Sequence, residues 1–142
     1  MFQEIIHTVK SPFRDDMHIV GFRFGKGEKA ACIVGPTRGN EIQQLYICSQ
    51  LVKELTRLEK IGAILNNNEI MVIPTLNQSS INIEKRFWAM DKSDINRMFP
   101  GDNSGETTER IAGGVFKAVE GYSYGIQFAS FHTPGEFLSL IH

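Results

Sequence analysis

The segment KAACIVGPTRGNEIQQ, residues 29–44, decides the fold that this sequence predicts. Residues 30–34 are apolar at nearly every position, which is typical of a strand that is covered on both faces. Gly35 and Gly39 then line a turn, and a helix is predicted from about residue 39 to residue 60. The apolar residues of that helix recur at the three-and-four spacing of one buried face. Strand, glycine turn and amphipathic helix together indicate an α/β fold.

The other predicted elements agree with that class. Residues 2–9 and 17–24 alternate as strands do, and GKGE at 25–28 predicts a hairpin turn into the strand above. Further strands are predicted at 70–74 and from 124 to His132, and a second helix begins near Thr107 or Thr108. Residues 75–104 form an unusually long irregular connection, of the kind that often carries function. The order of elements predicts a mixed β-sheet flanked by helices.

Composition narrows the classes of partner. The chain has 142 residues, 42% hydrophobic and 22% charged, with a formal net charge of -1, so we expect one globular domain. Near-neutral charge without a basic patch predicts neither a nucleic-acid partner nor a membrane partner. No apolar run approaches the ~20 residues that span a bilayer, and a cytoplasmic location is expected. Cys32 and Cys48 are predicted to be buried free thiols, because a disulfide or a zinc pair lacks supporting spacing.

Polar residues follow the predicted strands at their carboxyl ends, where α/β sheets bind ligands. Glu41 comes after strand 30–34, and His132 ends the last strand, so we expect the two to converge at one edge. A carboxylate and an imidazole are both zinc ligands. Two alternatives stay open: Glu41 can complement the positive end of the helix dipole, and His132 can be a structural histidine.

The long connection carries a second set of candidates. Asn96 and Arg97 stand close to Asp94, and a guanidinium suits the grip of a carboxylate through two parallel hydrogen bonds. Arg86 offers another positive group, which could polarise a scissile carbonyl. The alternative is a surface loop with ordinary charge pairs. Trp88 is predicted to anchor this loop on the body of the domain rather than to stack on a ligand.

Five motifs in order resemble the succinylglutamate desuccinylase/aspartoacylase family, relatives of the zinc carboxypeptidases. They are GPTRGNE, VIPTLNQSS, DINRMFPG, TERIA and FHTPG, and the resemblance covers roughly residues 17–137. It implies a zinc-carboxypeptidase-like (phosphorylase/hydrolase-like) core that binds one zinc ion. It also implies hydrolysis of the amide bond of an N-acyl amino acid or related small carboxylate by zinc-bound water.

The resemblance also implies roles for individual residues. Glu41 and His132 correspond to zinc ligands, Asn96 and Arg97 to the residues that bind the substrate's free carboxylate, and Arg86 to an auxiliary catalytic arginine. Arg38 stands where the family has its first zinc histidine, and a guanidinium is not a zinc ligand. Ser130 stands two positions before His132, where family members usually carry an acidic residue.

The resemblance covers only the N-terminal part of the family's proteins. Residues 1–142 are therefore expected to form a single, incomplete, carboxypeptidase-like catalytic domain. The family's general-base glutamate lies outside it, so we expect this chain alone to be inactive. A homo-oligomer, or a missing C-terminal segment, is expected to cover its exposed edge and apolar faces. The alternative is a non-catalytic remnant or subunit that binds a small-molecule carboxylate and has lost metal chemistry.

Overall fold

A computed structural model describes residues 1–64, 67–130 and 140–141. The described strands form one six-stranded sheet in the order β1-β2-β4-β3-β5-β6. The strands are β1 (Phe2–Val9), β2 (Met17–Gly25), β3 (Glu28–Val34), β4 (Asn68–Ile73), β5 (Tyr124–Gln127) and β6 (Leu140–Ile141). The helices are α1 (Ile42–Lys60), α2 (Gln78–Ile81) and α3 (Thr107–Val119), with a 3-10 helix at Ile95–Arg97.

The sheet is mixed, as the sequence predicts. β3 pairs in parallel with both β4 and β5, whereas β1–β2, β2–β4 and β5–β6 are antiparallel. Parallel strands need crossover connections, and α1 supplies the crossover from β3 to β4. The α/β class with a mixed sheet flanked by helices is therefore confirmed.

The predicted hairpin at residues 25–28 is wrong. The segment does join β2 to β3, but β4 lies between these two strands in the sheet. The turn packs against the start of β4: the Glu28 N–H donates to the Asn67 carbonyl at 2.9 Å. Gly27 has a φ of 134°, and a Cβ there would lie 2.3 Å from the Asn67 oxygen. Only glycine allows this close approach of two backbones.

Buried side chains lie on both faces of the sheet. On β4, Met71 and Ile73 belong to one hydrophobic cluster and Val72 to the other, as the alternation of a strand requires. The first cluster is completed by α3 and the second by α1, which contributes Cys48. Trp88 is 5% exposed within the first cluster. Its predicted role as the anchor of the long connection is confirmed.

Some bounds differ from those that the sequence predicts. α1 begins at Ile42 rather than near residue 39, because residues 39 and 40 form a turn. β5 ends at Gln127 instead of continuing to His132, since its partner β3 ends at Val34. The cap of α3 is neither threonine: Glu106 and Glu109 form a reciprocal capping box. The long connection contains both α2 and the 3-10 helix.

Cys32 and Cys48 are buried free thiols, which confirms their predicted state. Burial disfavours the charged thiolate, so it raises the pKa of Cys32 and raises that of Cys48 to about 11. Both side chains are therefore protonated at neutral pH and act as small apolar groups. In the described part of the chain, no helix is long and apolar enough to cross a membrane.

Candidate functional site

The carboxyl ends of β3 and β4 lie side by side because these strands are parallel. The Gly35 N–H donates to the Ile73 carbonyl at 2.7 Å, and the Leu76 N–H donates to the Pro36 carbonyl at 3.1 Å. The two strand exits therefore run together for several residues beyond the sheet. This confirms that the polar residues after these strands share one edge.

Gly39 fixes the turn that presents Arg38. Its N–H donates to the Arg86 carbonyl at 3.2 Å. A Cβ at position 39 would lie 2.2 Å from the Lys85 oxygen, so no larger residue fits without a backbone shift. The turn is thus clamped against the segment that follows α2. This contact places the Arg86 backbone beside the turn, with its guanidinium carbon 5.2 Å from the centre of the Phe87 ring.

Glu41 is 2% exposed and occupies the N-cap position of α1, yet its side chain makes no capping hydrogen bond there. Its Oε1 accepts from the Ser130 N–H at 3.0 Å and from the Ser130 Oγ–H at 2.9 Å. Its Oε2 accepts from the Arg38 N–H at 3.3 Å. The carboxylate therefore ties the turn after β3 to the segment after β5. Three donors offset the cost of burying it.

Arg38 lies between two buried carboxylates. Its Nε and Nη2 donate to Asp94 Oδ2 at 3.3 and 3.0 Å, and its Nη1 lies 3.7 Å from Glu41 Oε1. The side chains of Arg38, Glu41 and Asp94 are only 15%, 1% and 8% exposed. Burial reduces screening by water, so the charges interact more strongly here than they would at the surface. We call these three residues the Arg38 cluster.

Asp94 connects the Arg38 cluster to the two candidate carboxylate-binding residues. Its Oδ1 accepts from the Asn96 N–H at 3.2 Å, which caps the 3-10 helix. Its Oδ2 lies 3.8 Å from Arg97 Nε. The Arg97 side chain is 81% exposed, and the Asn96 Oδ1 accepts from the Gln127 Nε2–H at 3.1 Å. Sequence reasoning noted Asp94 only as a neighbour, although an aspartate two positions before Asn96 signals such a cap.

The structure thus brings together Arg38, Glu41, Asn96 and Arg97, with the Arg86 backbone alongside. His132 lies outside the described residues. Its convergence with Glu41 and its role as a zinc ligand therefore stay predictions. Ser130, which sequence reasoning noted for the absence of an acidic group, proves to be a direct partner of Glu41.

The described donors do not fit the zinc site that the resemblance implies. Within residues 1–64, 67–130 and 140–141, no group of three His, Cys, Asp or Glu side chains could hold a metal ion. Catalytic zinc usually has three protein ligands. Glu41 is the one candidate ligand in this part of the chain, and Arg38 places a positive charge next to it.

Comparison with known proteins points to one family. A sequence model of the succinylglutamate desuccinylase/aspartoacylase catalytic domain matches residues 28–129. The N-alpha-acetyl-L-2,4-diaminobutyric acid deacetylase of Halomonas elongata is 29% identical over 82 residues, which is 58% of this chain and 22% of that protein.

Solved structures share the fold. An aspartoacylase family protein from Mesorhizobium loti has a TM-score of 0.69 at 25% identity, over 82% of this chain and 36% of that one. The ectoine utilization protein EutE from Ruegeria pomeroyi has 0.64 at 18%, over 81% and 34%. A putative carboxypeptidase A from Shewanella denitrificans has 0.68 at 12%, over 89% and 34%.

The chain spans between about a fifth and about a third of the length of these relatives. The match nevertheless includes the strands, helices and loops that build the Arg38 cluster. With its carboxypeptidase-like core, this chain belongs to the succinylglutamate desuccinylase/aspartoacylase family.

Proposed function

We propose that this site binds the carboxylate of an N-acyl amino acid or related small acid. In this proposal the chain is the carboxylate-binding part of a protein descended from amide hydrolases. Family membership supports the class of ligand. The Halomonas relative is an N-alpha-acetyl-L-2,4-diaminobutyric acid deacetylase, which agrees with this class of ligand.

One observation carries the proposal: the guanidinium of Arg97 is exposed to solvent and lies next to the buried carboxylate of Asp94. The side chain is 81% exposed, but its Nε lies 3.8 Å from the Asp94 carboxylate, which limits the positions of the guanidinium. A planar guanidinium recognises a carboxylate through two parallel hydrogen bonds. The exposed Asn96 adjoins it and has an amide group with two further donors. Arg86, beside the Gly39 turn, is proposed to polarise an acyl carbonyl.

We further propose that this chain alone does not hydrolyse amides. Glu41 is engaged by Ser130 and Arg38, and the described residues supply no second and third zinc ligand. Zinc-dependent hydrolysis is the second candidate function. The burial of Glu41, at the position of a family zinc ligand, favours it, but it needs donors beyond those described.

Calorimetric titration with a series of N-acetyl amino acids tests the proposal. The expected result is saturable binding that weakens about tenfold in Arg97→Gln, since a charge-assisted pair contributes about 1.5 kcal/mol or more. Arg57→Gln is the matched control, because Arg57 is also an exposed arginine with an acidic neighbour, Glu54. Equal affinity in Arg97→Gln and the wild-type chain would contradict the proposal.

Activity and metal content separate the two candidate functions. The release of acetate from the same N-acetyl amino acids is measured with and without added zinc. The zinc content of the protein is measured alongside. Carboxylate binding without turnover supports the first candidate. Zinc-dependent turnover by this chain that disappears in Glu41→Gln supports the second and refutes the proposed inactivity.

Self-association, or cover by a further chain segment, is proposed for the face formed by α3 and β5. Phe116 on α3 is 47% exposed there. A cavity of about 430 Å³ lies beside Phe116 and is lined mainly by apolar side chains, Val115, Val119 and Ile126 among them. Exposed apolar surface of this kind favours association. The cytoplasmic location stays a prediction.

A further inference from the structure

We propose that the Arg38 guanidinium is the resident cation of this site, and that it serves in place of a divalent metal ion as counter-ion to Glu41 and Asp94. The observation behind the proposal is the Arg38 cluster itself. Both carboxylates approach the same guanidinium, at 3.7 Å from Glu41 and 3.0 Å from Asp94, and all three side chains are largely buried.

The positive charge of Arg38 disfavours the binding of a metal ion to Glu41. A zinc ion bound to Glu41 Oε1 would stand about 2.1 Å from that oxygen. Because Arg38 Nη1 lies 3.7 Å from the same oxygen, the ion could be at most about 6 Å from the guanidinium nitrogen. Two positive groups at that separation repel each other strongly where burial reduces screening.

The hydrogen bonds of Glu41 oppose a metal as well. Its Oε1 already accepts from the N–H and Oγ–H of Ser130, and its Oε2 accepts from the Arg38 N–H. A metal ion would have to displace or share these donors. Moreover, arginine stays protonated at every working pH, whereas a histidine in its place would be a neutral ligand above its pKa. The positive charge that Arg38 places between the two carboxylates is therefore permanent.

The consequence is a charge-balanced site that depends on no metal, with two arginines facing two carboxylates. Asp94 holds Arg38 on its buried side and Arg97 on its exposed side, so the buried carboxylates are neutralised from within the chain. Ligand binding at Arg97 should then be insensitive to chelators. The inference itself does not depend on the proposed carboxylate ligand, since metal content is measured without any ligand present.

The test compares zinc uptake by the wild-type chain and by Arg38→His. Each protein is incubated with zinc, desalted and analysed for metal by atomic emission, and its melting temperature is measured with and without zinc. The wild-type chain is expected to retain no stoichiometric zinc and to show no zinc-dependent shift. Arg38→His is expected to melt lower than wild type without metal, and to regain melting temperature as it binds zinc.

Two variants are controls. Arg57→His places a new histidine three residues from Glu54 on the exposed surface of α1, and it should leave the zinc response unchanged. Arg38→Lys keeps a positive charge and should stay zinc-free. Stoichiometric zinc in the wild-type chain that is lost in Glu41→Gln overturns the proposal, whether or not Arg38→His folds. A folded Arg38→His that does not respond to zinc also overturns it.

Discussion

In the described part of the chain, Arg38 and Arg23 each lie between two carboxylates, and their settings differ. Arg38 pairs with Asp94 and Glu41 at the carboxyl edge of the sheet. Arg23 donates from Nη2 to Glu4 at 2.7 Å and from Nη1 to Glu69 at 2.6 Å on the strands themselves. Both sets combine one arginine with two carboxylates. Strand register brings together Arg23, Glu4 and Glu69, which we call the Arg23 cluster, whereas loops bring together the Arg38 cluster.

The register of the sheet accounts for the Arg23 cluster. Arg23 on β2 is aligned with Phe2 on β1 and with Met71 on β4. Each acidic partner, Glu4 or Glu69, therefore lies two residues along from the aligned position, on the same face, as a diagonal neighbour. Since the alternation of strand residues determines such contacts, this cluster follows from strand pairing alone. Its role is to join three strands.

The Arg38 cluster has a different origin. Its partners come from the start of α1 and from a loop 56 residues further along the chain. Next to it lie the exposed Asn96 and Arg97, whereas the hydroxyl group of Tyr122 closes the Arg23 cluster by donating to Glu69. Arg38 is therefore the candidate binding group of the two, because loops place the exposed Arg97 guanidinium and the exposed Asn96 amide beside it.

The largest expected effect on stability comes from Arg38→Gln. Removing the guanidinium leaves the buried Glu41 without a counter-ion and Asp94 with only the exposed Arg97, which should lower the free energy of unfolding by about 3 kcal/mol. Urea denaturation measures this loss. Arg57→Gln, at an exposed pair, should stay within about 0.5 kcal/mol of wild type. A loss no larger than that of Arg23→Gln would contradict the stronger coupling of charges expected in the Arg38 cluster.

Arg23→Gln should have an intermediate effect, about 1.5 kcal/mol, because its pairs are less buried. The side chains of Glu4 and Glu69 are 25% and 16% exposed, so water can solvate them after the change. Binding of N-acetyl amino acids should be unaffected in the folded variant. Weaker binding in Arg23→Gln would show that the two clusters are not independent.

The smallest expected effect concerns pH and His7 on β1. Burial, and then the charge of Arg110, lower the pKa of His7 below its usual value of 6.5. The unfolded state therefore takes up a proton more readily than the folded state does. Well above about pH 6.5, His7 is uncharged in both states and does not change the free energy of unfolding with pH. As the pH falls from about 6.5 towards the lower folded pKa, proton uptake favours the unfolded state and stability is lost.

Thermal unfolding at about pH 7.5 and about pH 5.5 measures this loss. His7→Gln should reduce the difference between the two melting temperatures. The variant remains compatible with the contact between β1 and α3, where His7 packs on Gly114. An unchanged difference would contradict the assignment to His7 and would place the acid sensitivity elsewhere in the molecule.

The sequence by itself determined five of the described strands and the two long helices, whereas α2, the 3-10 helix and β6 were not predicted. Alternation identified β1 and β2, a continuous apolar run identified β3, and the three-to-four spacing identified α1 and α3, because local side-chain spacing decides which face can be buried. The motifs identified the family, and the strand exits identified the edge that carries the site. Asn96 and Arg97 were recognisable from their own short motif.

Only the tertiary structure decided which strands are adjacent and which side chains are in contact. β4 lies between β2 and β3 in the sheet. No local sequence pattern indicates this, because β4 begins about 40 residues after the start of β3. Asp94 reaches Arg38 across 56 residues, and Ser130 reaches Glu41 across 89. Such contacts depend on strand order and on the close backbone approach at Gly39. Local sequence therefore names the candidate residues, but only packing shows that a guanidinium neutralises this site.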